Sequence, residues 1–116
     1  MSRSEFEWEC NEACPIKKTA KIIEGKWTTL VIRELLTGQK RYFELQAGLS
    51  GISSKVLSAR LRLLEKHQLI SRQVFETIPL TTEYKLTSLG RKMEPLLMAM
   101  ADFGIELALE GNLQSE

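Results

Sequence analysis

A single histidine and two cysteines among 116 residues leave little material for metal or nucleophilic chemistry. Cys10 and Cys14 are too few ligands for a structural zinc within one chain, and one histidine gives small scope for a Cys/His site. Two cysteines four positions apart cannot frame a secreted disulfide scaffold either. Glycine is also too sparse in the right places: Gly25-Lys26 lacks the preceding glycine spacing of a phosphate-binding loop. There is no Ser/His/Asp set, and the carboxylates show no distinctive pairing, so neither enzymatic activity nor a cofactor is expected. No apolar run approaches the ~20 residues that span a bilayer. The acidic stretch MSRSEFEWECNEACP has no apolar signal core. The expectation is a cytoplasmic chain with no membrane partner.

What is present suits one soluble domain. Chains of this size bury roughly 60–70% of their unfolded surface, enough for one ordinary core. The net charge of +1 conceals an uneven distribution. Residues 1–14 set Arg3 against four glutamates, residues 15–75 set twelve Lys/Arg against four glutamates, and residues 76–116 set three cations against seven acids. A basic middle between acidic ends suits a nucleic-acid face with outlying interaction segments, or equally a solvated charged surface.

Apolar periodicity divides the chain into elements. Residues 1–13 have no clear period and are expected to form a mobile arm. Pro15 fits the first position of a helix, with Ile16, Ala20 and Ile23 on one stripe up to Gly25. A second helix runs from Trp27 to Leu36, with Trp27, Leu30, Val31, Ile32 and Leu35 as core candidates and Gly38 as its stop. Residues 40–50 read as a short helix with Phe43, Leu45 and Leu49 facing inward. Ser53 caps the next helix. Leu57, Leu61 and Leu64 share its inner face, with Lys55, Ser58, Ala59, Arg62 and Lys66 opposite. After Leu69 the period becomes alternating, and a turn at Ile78-Pro79 separates two strands. A last helix runs from Ser88 to Glu110, interrupted or begun afresh at Pro95, and residues 111–116 form a tail. This helix carries two apolar stripes. Leu89, Met93, Leu96, Met100, Phe103 and Leu107 form one, and Leu97, Met98, Ala101, Ile105 and Leu109 the other.

The expected fold is mainly α with a small β-hairpin. A short helix, a turn, a basic helix and a hairpin make a winged helix-turn-helix domain over residues 14–110, completed by a long C-terminal dimerisation helix. In that arrangement the basic helix enters the major groove of DNA, and the wing follows the backbone or minor groove. Lys55 and Arg62 are the leading groove contacts, able to reach phosphates or guanine edges. Arg60 lies nearer the apolar edge and is ranked below them, as a partner for Glu44 or another acid. Ser53, Ser54 and Ser58 can bond phosphate or base edges, although capping suffices as a role for Ser53. Arg41 and Tyr42 can position a phosphate before the first helix of the pair, as can Thr81 and Thr82 from the wing. Trp27 and the methionines of the last helix read as packing, and His67 as a charge at a helix C-terminus. A small domain has one core to fill, yet the last helix is apolar on two faces. Ile16, Leu96, Leu97, Met100, Phe103 and Leu107 are therefore expected at a dimer interface.

In these elements the chain resembles the HxlR-type winged helix-turn-helix regulators of bacteria and archaea. The resemblance rests on Cys14-Pro15, Gly25-Lys26-Trp27, Ile32-Arg33-Glu34-Leu35, Arg41-Tyr42-Phe43-Glu44-Leu45, Gly51-Ile52-Ser53, Leu61-Arg62-Leu63-Leu64-Glu65, Glu83-Tyr84-Lys85-Leu86-Thr87 and Leu89-Gly90-Arg91. It implies a homodimeric transcription regulator that binds a palindromic double-stranded DNA operator. It also implies thiol or redox sensing at Cys14, the position through which some members sense oxidants or electrophiles. Lys17 and Lys18 add positive potential beside that thiol, Glu9 and Glu12 oppose it, and Cys10 is a candidate partner. The resemblance leaves any small-molecule effector unidentified. The chain departs from the family at the wing tip, Ile78-Pro79-Leu80-Thr81-Thr82, where an arginine is usual and no cation stands. Two other classes make different demands. A winged helix serving only as a protein-interaction module predicts an acidic or apolar outer face. A thiol redox enzyme needs a C-x-x-C pair near a βαβ unit.

Overall fold

The computed structural model describes residues 14–111; the expected arm with Cys10, and the tail beyond Gly111, lie outside them. The chain order is α1 (Pro15–Ile23), α2 (Trp27–Leu36), β1 (Lys40–Arg41), α3 (Tyr42–Gly48), α4 (Ser54–Lys66), β2 (Ile70–Phe75), β3 (Thr81–Leu86), α5 (Ser88–Arg91) and α6 (Glu94–Glu110). The hairpin is joined by a third strand: β1 pairs antiparallel with β3, giving the sheet order β1-β3-β2. Lys40 lies opposite Tyr84 and Arg41 opposite Glu83. This two-residue strand has no sequence period of its own, because its pairing to β3 is wholly non-local.

Local chemistry sets the helix ends. Pro15 opens α1, and Gly25 at φ +85° turns the chain after it. The Ser53 hydroxyl accepts the Val56 N–H at 3.1 Å, the expected cap of α4. At the other end Gln68 adopts φ 60°, while Leu69 N–H bonds the Leu64 carbonyl and Gln68 N–H that of Glu65. This is a Schellman closure with glutamine in the left-handed position that glycine usually fills. Its turn delivers Leu69 and Ile70 into the core.

That core is formed by Val31, Ile32 and Leu35 of α2, Leu45 and Leu49 of α3, Leu57, Leu61 and Leu64 of α4, and Ile70, Tyr84 and Leu86 of the sheet. Full burial of each leucine of α4 contributes roughly 1.5–3 kcal/mol. Trp27 and Leu30 are half-buried against this core, so the tryptophan is a packing residue, with Lys26 Nζ 4.4 Å from its ring centre. Phe43 departs from expectation, since its side chain is 60% exposed. It stands two residues before Leu45, and a helix turns about 200° over two positions, so the two cannot share an inner face.

The C-terminal helix is broken, as Pro95 requires. Proline has no N–H for the Arg91 carbonyl and its ring crowds that group. Lys92 and Met93 form a turn between α5 and α6. The short α5 is fastened to the corner between α4 and β2. The Thr87 hydroxyl caps it by accepting Gly90 N–H at 3.0 Å and donates to the Gln68 carbonyl at 2.7 Å. Gly90 packs so closely that an added Cβ would collide with the Leu69 carbonyl oxygen. Met93 in the turn and Leu97 in α6 are half-buried against the core. Beyond them α6 buries no residue: Met100, Phe103, Ile105, Leu107 and Leu109 are all exposed.

Candidate nucleic-acid interface

Two helices and a hairpin set out the site. Gly51 at φ +91° permits the sharp turn between α3 and α4, and Ile52 beside it is buried. Because Leu57, Leu61 and Leu64 anchor the inner face of α4, Lys55 and Arg62 must point outward, and both are exposed. They are seven residues apart, two turns of helix, so they stand on one stripe about 10 Å apart along the axis. Among the described residues neither enters an ion pair. Both cations are available to an external anion.

Between them the expected polar residues divide. Ser58 is half-buried, and its hydroxyl lies 3.1 Å from the Tyr42 hydroxyl, which also donates to the Ser54 carbonyl at 3.2 Å. Tyr42 thus fastens the start of α3 to the first two turns of α4. Ser54 itself is exposed beside Lys55, and Ser53 is committed to its cap. Arg60 is half-buried and joins neither Glu44 nor any other acid among the described residues. Its Nε is buried without a partner, while the Glu44 carboxylate accepts the Arg41 N–H at 2.8 Å. Arg41 is the N-cap residue of α3 and is exposed. Thr81 and Thr82 open β3 and are half-buried, with the Thr81 hydroxyl 3.1 Å from that of Thr77.

The sequence reading missed two features of this face. Arg72 on β2 lies 3.5 Å from Glu65 of α4, and the pair borders a cavity of about 370 Å³ that also touches Ser58, Arg62 and Tyr84. Burial pushes the Tyr84 phenol up; the Arg72 charge works against this, and Glu65 and Tyr42 add to it. The second feature is a groove of about 320 Å³ between α3 and the wing, lined by Arg41, Tyr42, Phe43, Leu80, Thr81 and Thr82. Neither follows from local spacing, since each joins segments far apart in the chain.

The remaining expected residues lie elsewhere. Cys14 is a half-buried free thiol at the N-cap of α1. Of the residues expected at a dimer interface, Ile16, Met100, Phe103 and Leu107 are exposed, whereas Leu96 and Leu97 are half-buried. No helix among the described residues is long and apolar enough to cross a membrane.

Comparison with known proteins agrees with this geometry. The HxlR-like helix-turn-helix family profile matches residues 22–111. The HTH-type transcriptional regulator sll1512 of Synechocystis is 43% identical over 97 residues, which cover 84% of this chain and 72% of that one. A MarR-family transcriptional regulator from Porphyromonas gingivalis has a TM-score of 0.81 at 37% identity, covering 86% of this chain and 98% of the other. The redox regulator HypR in its reduced form gives a TM-score of 0.77 at 31% identity over 84% of this chain and 98% of HypR. Its oxidised form gives 0.73 at 32% identity over 80% and 96%. With its helix-turn-helix, wing and cationic outer stripe, the chain belongs to the HxlR-like helix-turn-helix family and is a transcriptional regulator of the winged-helix type.

Proposed function

We propose that this chain acts as a homodimer on a two-fold related duplex operator, with α4 in the major groove. The observation that carries this reading is the outward stripe of Lys55 and Arg62, exposed and without ion-pair partners among the described residues. A cationic stripe on the second helix of the pair suits phosphate and guanine edges. It disfavours the alternative of a winged helix used only to bind protein, which calls for an acidic or apolar face. Dimerisation is supported by α6, whose outer half exposes large apolar side chains on both of its stripes, beyond the reach of its own core. Two equal recognition helices related by a dyad fit successive major grooves, about 34–36 Å apart or a multiple of it.

The test is selection of bound duplexes from the source genome, followed by footprinting and a salt titration. Two-fold related protection is expected, with affinity falling steeply as salt rises, because each neutralised phosphate releases ~0.9 counterion. Lys55→Ala and Arg62→Ala should each weaken binding, by roughly 1–3 kcal/mol where a base is read. Protection of a single unrepeated half-site, or affinity flat with salt, would overturn the proposal.

A thiol response is supported by Cys14 at the N-cap of α1 and by the likeness to HypR. Oxidation or alkylation there should alter operator affinity by displacing α1. Equal responses of wild type and Cys14→Ser to a mild oxidant would remove Cys14 as the switch.

A further inference from the structure

The wing of this protein has no cation between Arg72 and Lys85, and it carries acids at Glu76 and Glu83. Electrostatic attachment of the wing to a polyanion must therefore come from its base. The nearest cation there is Arg41, opposite Glu83 in the sheet register yet joined to no acid in an ion pair among the described residues. Arg41 shares the groove of about 320 Å³ with two large apolar side chains, Phe43 from α3 and Leu80 from the wing. These are 60% and 67% exposed, although an apolar core lies directly beneath α3.

The polar groups of the groove narrow the occupant. The Tyr42 hydroxyl is engaged with Ser54 and Ser58, and the Thr81 hydroxyl with Thr77. What remains on offer is one guanidinium, the Thr82 hydroxyl and an apolar ledge. That combination matches an anion joined covalently to a compact carbon ring. It suits neither a free inorganic anion, which has no use for the ledge, nor a purely apolar peptide, which would leave Arg41 without a counterpart. Tyr42 also ties this groove to α4, so the groove borders the face that carries Lys55 and Arg62.

We propose that the groove seats one deoxyribose–phosphate unit of the operator backbone in each half-site, with the phosphate at Arg41 and the sugar on the ledge of Phe43 and Leu80. This rests on the DNA-binding reading above and adds to it a backbone site in which apolar contact takes the place of the missing wing-tip cation.

The experiment uses the full-length protein and a duplex selected by it, with hydroxyl-radical footprinting as the direct readout, because that reagent reports the exposure of individual sugars. Wild type should protect a sugar flanking each major-groove contact. Phe43→Ser and Leu80→Ser should lose that protection and keep the protection due to α4. Their affinity should fall roughly three- to tenfold, the scale of partial burial of one apolar side chain, with the salt slope unchanged. Arg41→Gln should weaken binding and reduce the slope by about one unit per half-site. All three positions are exposed, and thermal unfolding of each variant checks that the fold is kept. If wild type protects the duplex and both serine variants give its footprint unaltered, the groove proposal is refuted and the exposed pair is left to a protein partner. If wild type protects no duplex at all, the DNA-binding reading fails and this proposal fails with it.

Discussion

Replacing Tyr42 by phenylalanine removes one hydroxyl and tests whether that group belongs to the fold or to the DNA. In the free protein the hydroxyl donates to the Ser54 carbonyl at 3.2 Å and stands 3.1 Å from the Ser58 hydroxyl, which it can accept from. The ring stays half-buried beneath α3 in either variant, so no cavity opens. A typical net contribution is about 1 kcal/mol per hydrogen bond. The Ser54 carbonyl is exposed and regains water, whereas Ser58 is half-buried and regains less. The expected loss is therefore about 1–1.5 kcal/mol, nearer one bond than two. For a domain of this size 1 kcal/mol moves the melting temperature by about 4–8 °C. The assay is thermal and urea unfolding of Tyr42→Phe without DNA, followed by operator affinity across a salt series. Operator affinity should fall modestly with the salt slope unchanged, because a displaced α4 keeps its cations. Unaltered stability together with a large loss of operator binding would refute the clamp and assign the hydroxyl to a phosphate.

Four further outcomes follow from the same structure. Gly90→Ala should destabilise the fold by about 2–3 kcal/mol through overpacking against the Leu69 carbonyl and the Leu86 side chain; an unchanged urea midpoint would contradict it. Gln68→Gly should stabilise by about 0.5–1 kcal/mol, since its φ of 60° suits glycine, and a lower midpoint would refute that account. Above about pH 10 the unfolded chain releases the Tyr84 proton before the folded protein does, because burial raises that phenol. The folded state then holds more protons, so stability falls as pH rises, and Tyr84→Phe should show a shallower fall in unfolding free energy over that range. Phe103→Glu should yield monomer in sedimentation with its far-UV circular dichroism kept, because Phe103 is 63% exposed in one chain and an unpaired charge is costly only when a partner buries it; its unfolding should lose the protein-concentration dependence that a dimer shows. A wild type already monomeric at micromolar concentration would remove the dimer.

The sequence was most informative where structure follows local spacing. Leu57, Leu61 and Leu64 recur on one helical face, and that alone places Lys55 and Arg62 outward. Pro15, Gly51, Ser53 and Pro95 mark ends and breaks through their own backbone chemistry. Contacts between distant segments were not legible in the same way. The strand at Lys40–Arg41 exists only through its pairing with β3, and the Tyr42 clamp joins residues twelve and sixteen positions apart. The Arg72–Glu65 pair likewise needs the hairpin folded back on α4. Phe43 shows the limit of composition: its phase relative to Leu45, and not its hydrophobicity, decides which face it occupies.

The joint at Thr87 and Gly90 makes α5 continuous, in mechanical terms, with the C-terminal end of α4. From there α6 extends as a rod of 17 residues, about 25 Å at 1.5 Å per residue. Rod and joint are linked by the turn at Lys92 and Met93. A rotation of ~10° there swings the far end of such a rod by ~4 Å. In the proposed dimer, where a partner would grip the rod, the same rotation would instead reorient each α4 relative to its twin. On the proposed reading, operator affinity would then be sensitive to Lys92 and Met93, and substitutions there would alter half-site spacing without altering Lys55 or Arg62.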